Sequence, residues 1–113
     1  MKSSEVLVID DEPQVRDVLR DILENDGYTV VAVGDGKTAL EQIQQRNFDI
    51  AIVDYILPPP HTGLALIRRL REQNPEVVPI LITGYPTSEL AELASQEKVF
   101  RYITKPIEPP FFS

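Results

Sequence analysis

The chain has 113 residues, a formal net charge of −7 and no cysteine. This length predicts one domain over residues 1–113 that buries a single core. The lack of cysteine excludes disulfides, thiolate metal sites and cysteine nucleophiles.

Charge and hydropathy restrict the partners further. An acidic domain is repelled by phosphate backbones, so we expect no direct binding to nucleic acid. The first apolar run reaches Asp10 within a few residues, so it is not a signal peptide, and no run is long enough to span a bilayer. We therefore expect a cytoplasmic protein that makes no membrane contact.

Five short apolar runs predict strands, and the segments between them have helical spacing. Strand and helix alternate, which predicts parallel strands, right-handed crossovers and helices on both faces of a doubly wound α/β sheet. In chain order the predicted elements are strand Val6–Ile9, a helix with apolar residues from Val15 to Leu23, strand Tyr28–Val33, a helix around Ala39–Ile43, strand Ile50–Val53, a helix around Leu64–Leu70, strand Val78–Ile82, a helix around Leu90–Ala94, and strand Phe100–Ile103.

Polar residues follow four of the five predicted strands, at the edge where open parallel sheets bind their ligands. The second strand ends instead in Gly34-Asp35-Gly36, which is typical of a turn. The four polar strand ends are Asp10-Asp11-Glu12, Asp54, Thr83 and Thr104-Lys105-Pro106.

Each of these residues also has a purely structural explanation. Asp11 could cap the first helix ahead of Pro13, Asp54 could form a turn, and Lys105 could be an exposed charge. Together they form a chemically coherent set, because converging carboxylates repel one another and a hard cation such as Mg²⁺ relieves the repulsion. Asp54 can then act as a nucleophile that forms an aspartyl phosphate, while Lys105 and Thr83 contact the phosphoryl oxygens.

The segments VLVIDDE, IAIVDYILP, ILITGY and YITKP, in this order and spacing, resemble the receiver domain of bacterial two-component response regulators. The resemblance covers nearly the whole chain. It implies a CheY-like, flavodoxin-like sheet with strand order 2-1-3-4-5, and a Lys105–Pro106 bond that is commonly cis. It also implies roles for individual residues: Asp54 as phospho-acceptor, Asp10, Asp11, Asp54 and the carbonyl of Ile56 as Mg²⁺ ligands, Thr83 and Lys105 as phosphoryl contacts, and Thr83 and Tyr102 as switch residues.

The resemblance implies a phosphorylation-dependent switch rather than an enzyme acting on external substrates. The phosphoryl donor would be a sensor histidine kinase, a phosphotransfer protein or a small molecule such as acetyl phosphate. The domain would assist its own phosphoryl transfer and dephosphorylation, and its output surface would be helix four, strand five and helix five.

Two features depart from the family pattern. Pro58-Pro59-Pro60 lengthens the loop after Asp54, so the glycine that follows is Gly63, one residue late. The chain ends soon after Lys105-Pro106, so we expect the fifth helix to be truncated or absent. That would leave apolar surface over strands one and five bare and predicts self-association, or docking of an effector region that is not in this sequence.

Other interpretations are weaker. The segment GDGKT resembles a phosphate-binding loop, but the glycine required five residues before Gly36 is Val31, so Lys37 is interpreted as a surface residue at a helix start. His61, the sole histidine, is interpreted as a loop residue. Alternative functions are a receiver-like docking module without phosphorylation, a haloacid-dehalogenase-type phosphatase, which would need an acid where Ile56 stands, and a flavodoxin-like electron carrier.

Overall fold

The computed structural model describes residues 4–107, which form a parallel five-stranded sheet with four helices. The strand order is 2-1-3-4-5, as the resemblance implies. The elements are β1 (Glu5–Ile9), α1 (Pro13–Asn25), β2 (Thr29–Val33), α2 (Gly36–Gln45), β3 (Ile50–Asp54), α3 (Gly63–Gln73), β4 (Val78–Thr83), α4 (Ser88–Gln96) and β5 (Arg101–Thr104).

Two strand ends differ from the prediction in a way that affects the site. β3 and β4 each extend one residue further, so Asp54 and Thr83 are themselves the last strand residues. Asp54 is in register with Ile82, and Thr83 with Thr104. The sheet therefore fixes the backbone from which both side chains leave.

The core lies on both faces of the sheet, as the alternation of strand and helix predicted. On β1, Leu7 packs on the side that holds α2, α3 and α4, whereas Val6 and Val8 pack with Leu19 and Leu23 of α1. Successive strand residues point to opposite faces, which is why a nearly continuous apolar run is needed to fill both layers.

The prediction of bare apolar surface over strands one and five is wrong for the residues that the structure describes. Val6 and Val8 are fully buried and Ile103 is only 6% exposed. These side chains pack in one cluster with α1, and Ile107 packs against that cluster. Val18 of α1 is an exposed apolar residue on this side, at 39%.

The expected truncation or absence of a fifth helix concerns residues 108–113, which lie outside the described range. Within residues 4–107, no helix has both the length and the apolar character needed to cross a membrane.

Candidate functional site

Acidic side chains from two neighbouring strands meet at the carboxyl edge of the sheet. Asp10 and Asp11 follow β1, and Asp54 ends β3, which pairs directly with β1. Together with Glu12, each offers one carboxylate oxygen within 4.8 Å of the others. The structure thus brings together the three carboxylates that the sequence predicted as metal ligands.

Asp10 is the most tightly held of these acids. It is fully buried, its backbone N–H donates to the carbonyl of Val33 at 3.1 Å, and its Oδ1 accepts from the N–H of Glu12 at 2.9 Å. The buried Oδ2 has no well-directed hydrogen bond from the described residues, although the Lys105 ammonium lies 2.9 Å away. This oxygen is closed to solvent, so a ligand would reach it only by displacing the ammonium.

The alternative interpretation of Asp11 as a helix cap is wrong. α1 begins at Pro13, and the residue in the N-cap position is Glu12, whose side chain makes no capping hydrogen bond. The local turn is instead closed by the side chain of Asp10, which accepts from Glu12. Asp11 is exposed and remains free to face the acid cluster.

Lys105 lies at the centre of the cluster. Its Nζ is 2.6 Å from Glu12 Oε1, 2.9 Å from Asp10 Oδ2 and 3.0 Å from Asp54 Oδ2. Its backbone N–H donates to the carbonyl of Thr83 at 2.8 Å, which fixes the loop that presents it. The sequence did not predict a role for Glu12; the one available signal was a third acid directly after Asp10-Asp11.

Burial dominates the electrostatics of the aspartates. It raises the pKa of both Asp10 and Asp54, because each carboxylate loses hydration, and Lys105 offsets only part of this effect. Burial alone would lower the pKa of Lys105, but its contacts with Glu12, Asp10 and Asp54 outweigh that and raise the pKa above the ordinary lysine value. The cluster therefore has a deficit of positive charge that one ammonium group does not fill.

The loop after Asp54 turns back sharply over the site. Oδ1 of Asp54 accepts from the N–H of Ile56 at 3.1 Å, and the N–H of Gly63 donates to the carbonyl of Tyr55 at 3.2 Å. A Cβ at position 63 would lie 2.3 Å from the carbonyl oxygen of Asp54. Although it comes one residue late in the sequence, Gly63 is the residue that lets α3 begin directly against the end of β3.

A cleft of about 210 Å³ opens above the cluster. Ile56 and Tyr85 flank it, and their side chains are 51% and 76% exposed. Access to the acids thus passes between two apolar side chains.

The two predicted switch residues lie on neighbouring strands. Thr83 is fully buried, and its Oγ1 accepts from the N–H of Tyr85 at 3.1 Å. Tyr102 is half-buried beside α4, and its buried hydroxyl has no hydrogen-bond partner within residues 4–107. The Lys105–Pro106 bond is cis, as expected.

The donor set suits a hard divalent cation. Every acidic side chain in the cluster offers a carboxylate oxygen, and Mg²⁺ prefers oxygen ligands at about 2.0–2.1 Å while keeping several waters. The buried Oδ2 of Asp10 lacks a directed donor, so a cation would satisfy it. The residues present therefore fit Mg²⁺.

The GDGKT segment forms a helix start, as predicted. Asp35 is the N-cap of α2, and its side chain accepts from the N–H of Thr38 at 2.7 Å. This bond lowers the pKa of Asp35. Lys37 is exposed.

Several known proteins are related to this chain in sequence. The chain is 35% identical over 107 residues to an uncharacterized 14.6 kDa protein of Leptolyngbya boryana, covering 93% of this chain and 81% of that protein. It is 33% identical over 107 residues to the regulatory protein VanR of Enterococcus faecium, covering 95% of this chain but only 46% of VanR. The chain thus spans less than half of that relative.

Solved structures agree. A CheY-like receiver domain protein from Methanospirillum hungatei superposes with a TM-score of 0.87 at 28% identity, covering 96% of this chain and 86% of that one. A response regulator from Burkholderia pseudomallei, solved with a phosphorylated aspartic acid, a calcium ion and citrate, has a TM-score of 0.84 at 29% identity, covering 94% and 62%. The family model for the response regulator receiver domain matches residues 6–111, and the chain belongs to this family.

Proposed function

We propose that Asp54 is the phospho-acceptor of this receiver domain and that its phosphorylation switches the signalling state. The observation that carries the proposal is the convergence of acids, ammonium and hydroxyl at one sheet edge. Asp54 ends a buried strand, lies 3.0 Å from Lys105, and shares a cluster 4.8 Å across with Asp10 and Asp11. The phosphorylated aspartate and bound calcium of the Burkholderia protein support the same chemistry here.

In the proposed reaction, an Asp54 carboxylate oxygen attacks phosphorus and forms an O–P bond. The bond from phosphorus to the donor breaks, and its electron pair stays with the leaving imidazole of a phosphohistidine or the leaving acetate of acetyl phosphate. Lys105 offsets charge on the transferring oxygens, and the Thr83 hydroxyl donates to one of them. In the hydrolysis, a water oxygen would attack phosphorus and the Asp54 O–P bond would break, which releases inorganic phosphate and returns the carboxylate.

Asp10, Asp11 and Asp54, together with the carbonyl of Ile56, would hold Mg²⁺. A bound Mg²⁺ supplies positive charge that offsets the phosphoryl oxygens and the converging acids. Binding also requires Lys105 to give up part of its contact with these carboxylates, because the ammonium now lies among them.

Phosphorylation would add a charge of about −1.5 to −2 and three strong acceptors to Asp54. In the proposed switch, the Thr83 hydroxyl turns toward this group and gives up its contact with the Tyr85 N–H, and Tyr102 repacks behind it. The output surface would comprise α4, β5 and a fifth helix. Reversing an equilibrium from 1:99 to 99:1 needs about 5.5 kcal/mol, to which the new contacts with Thr83 and Lys105 would contribute.

The proposed partner is a sensor histidine kinase or a phosphotransfer protein, and the proposed location of the domain is the cytoplasm. Self-association or docking of an effector region stays a prediction, although the strand residues from which it was argued are buried in the part of the chain that the structure describes. Sedimentation showing a strict monomer at high concentration would contradict self-association.

A direct test uses acetyl phosphate and Mg²⁺. The intact mass should rise by one phosphoryl group in the wild type and stay unchanged in Asp54→Asn. A docking module or electron carrier would give no adduct, and a dehalogenase-type enzyme would instead turn over external phosphomonoesters.

A further inference from the structure

The turn between β2 and α2, Gly34-Asp35-Gly36, contributes no group to the chemistry, yet both glycines are in close contact with side chains from elsewhere. A Cβ on Gly34 would lie 2.9 Å from Arg16 Nη1, and a Cβ on Gly36 would lie 2.2 Å from His61 Cγ. Neither glycine has a positive φ. Close approach, rather than backbone conformation, is therefore what an added side chain would disturb. At Gly36 it would displace the base of the His61 side chain, and at Gly34 it would push aside the guanidinium end of Arg16.

Arg16 connects this turn to the first metal-binding loop. Its Nη1 donates to the backbone carbonyl of Asp10 at 2.7 Å while the guanidinium lies against Gly34. The N–H of Asp10 donates to Val33, the residue just before Gly34. Both backbone polar groups of Asp10 are thus held by β2 or by the side chain that packs on its turn.

His61 connects the same turn to the second metal-binding loop, which runs from Asp54 to α3. The two ends of this loop are joined by the hydrogen bond from the N–H of Gly63 to the carbonyl of Tyr55. Its middle is anchored by Leu57, which is only 7% exposed. The side chain of His61, which lies close to Gly36, makes a third contact that holds this loop. The carbonyl of Ile56 lies between the first two.

We propose that Gly34 and Gly36 are positioning residues that fix the two metal-binding loops relative to each other, through Arg16 and His61. The inference rests on the proposed function, since it assumes that these loops share Mg²⁺. Ligand distances near 2.0–2.1 Å leave little tolerance, so a displacement of a few tenths of an ångström in either loop weakens binding. The Gly34-Asp35-Gly36 turn contacts residues that hold both loops, so it keeps the position of one loop fixed relative to the other.

The first test measures Mg²⁺ affinity of the unphosphorylated full chain by calorimetry, with the thermal midpoint and amide exchange at Glu12 and Ile56 recorded in parallel. Gly34→Ala and Gly36→Ala should each weaken binding about ten-fold, as is typical when a residue supporting a metal ligand is lost. Amide exchange should accelerate at Glu12 in the first variant and at Ile56 in the second. Lys37→Ala, the matched control on the same helix turn, should bind as wild type.

The second test separates positioning from general damage to the fold. Alanine favours a helix more than glycine does, so a loss of stability in Gly36→Ala would come from the contact with His61 and not from helix propensity. If the glycines act through their partners, Gly34→Ala should add no penalty in an Arg16→Ala background, and Gly36→Ala none in His61→Gly, which also removes the His61 Cβ that lies 2.4 Å from a new Cβ at position 36. Arg16→Ala and His61→Gly alone should each weaken Mg²⁺ binding, which tests the proposal even if a glycine variant does not fold.

Affinities within two-fold of wild type in all four single variants, or penalties that add fully in the double variants, would overturn the inference while leaving the proposed function intact. A wild type that binds no Mg²⁺ would overturn the proposed function and the inference with it.

Discussion

Lys105 Nζ lies 3.0 Å from Asp54 Oδ2, and the two residues reach this contact from strand ends that are 51 positions apart in the chain. The same ammonium also contacts Asp10 and Glu12. Lys105 thus offsets part of the charge of the carboxylates that are expected to bind Mg²⁺, and the cation would compete with the lysine for Asp10 Oδ2 and Asp54 Oδ2.

Lys105→Met should destabilise the metal-free protein at neutral pH. Methionine keeps the apolar stem but leaves Asp10 and Asp54 without a counter-charge, which should cost about 1–3 kcal/mol because the site opens to solvent on one side. Mg²⁺ should then raise the thermal midpoint more in this variant than in the wild type, because the ammonium no longer competes. Thermal unfolding with and without Mg²⁺ measures both effects.

The exposed Lys37 provides the control for charge alone, and Lys37→Met should respond to Mg²⁺ as the wild type does. A smaller Mg²⁺ stabilisation in Lys105→Met than in the wild type would show that the lysine does not compete for these oxygens.

Asp54→Asn should stabilise the metal-free protein at neutral pH. Burial raises the pKa of Asp54, so the native state favours its neutral form. A carboxyl group with a raised folded-state pKa adds to the free energy of unfolding while it is protonated in the native state. This contribution is fully present below the unfolded-state pKa, about 3.9, and is lost as pH rises through the higher folded-state pKa. The amide stays neutral throughout and avoids this loss.

The stability difference between Asp54→Asn and the wild type should therefore be largest near pH 7 and shrink as pH falls toward 4. Each kcal/mol relieved should raise the midpoint by about 4 °C in a domain of this size. Asp21→Asn, on the exposed face of α1, controls for lost surface charge. A difference that grows on acidification would contradict the assignment of burial as the dominant effect.

Much of the fold and the site could be predicted because strand residues in a parallel sheet must be apolar on both faces. Against that background, Asp54 and Thr83 stand out at strand ends, and the parallel arrangement brings such ends to one edge. The choice of hydrogen-bond partners within a short segment could not be predicted. Asp10 rather than Asp11 accepts the hydrogen bond from the N–H of Glu12 that closes the turn into α1, although both residues are aspartates.

Contacts between segments that are distant in the chain could not be predicted from local sequence patterns either. Glu12 and Lys105 are 93 residues apart, and His61 and Gly36 meet only after the loop following β3 folds onto α2. Nothing in the sequence around His61 or around Gly34-Asp35-Gly36 indicates that these two segments are in contact. The error over bare surface on strands one and five has a similar origin, because the packing of α1 there depends on the whole layer.

Gly63→Ala should be far more damaging than Gly84→Ala. The new Cβ at position 63 would meet backbone, at 2.3 Å from the Asp54 carbonyl oxygen and 2.9 Å from Tyr55 Cα, so the end of β3 must move. We expect a loss of about 1–3 kcal/mol or more in the free energy of unfolding, as in overpacked cores, and weaker phosphorylation of Asp54.

At position 84 the nearest atom to a new Cβ is Lys105 Cδ at 3.9 Å, an ordinary contact, so this variant should unfold as the wild type does. Urea unfolding curves compare the two. Equal midpoints for both variants would show that α3 can start elsewhere without disturbing Asp54.

Ile56→Asn and Tyr85→Ala should each shorten the life of the phosphorylated protein. The two side chains flank the cleft above Asp54, and both are largely exposed, so they screen the acyl phosphate from water without supporting the core. An asparagine at position 56 can hydrogen-bond an attacking water, and an alanine at position 85 widens the entrance. A ten-fold faster loss corresponds to about 1.4 kcal/mol of barrier, within reach of one positioned water.

The measurement follows the phosphoryl adduct by intact mass after acetyl phosphate is removed, with Val18→Ala as the control. Val18 is also an exposed apolar residue, but it lies on α1 outside the cleft, so its loss should leave the decay rate unchanged. Wild-type decay in both cleft variants would mean that water reaches Asp54 by another path. A faster decay in Val18→Ala would instead mean that the rate depends on general loosening around α1 rather than on the two side chains above the acid.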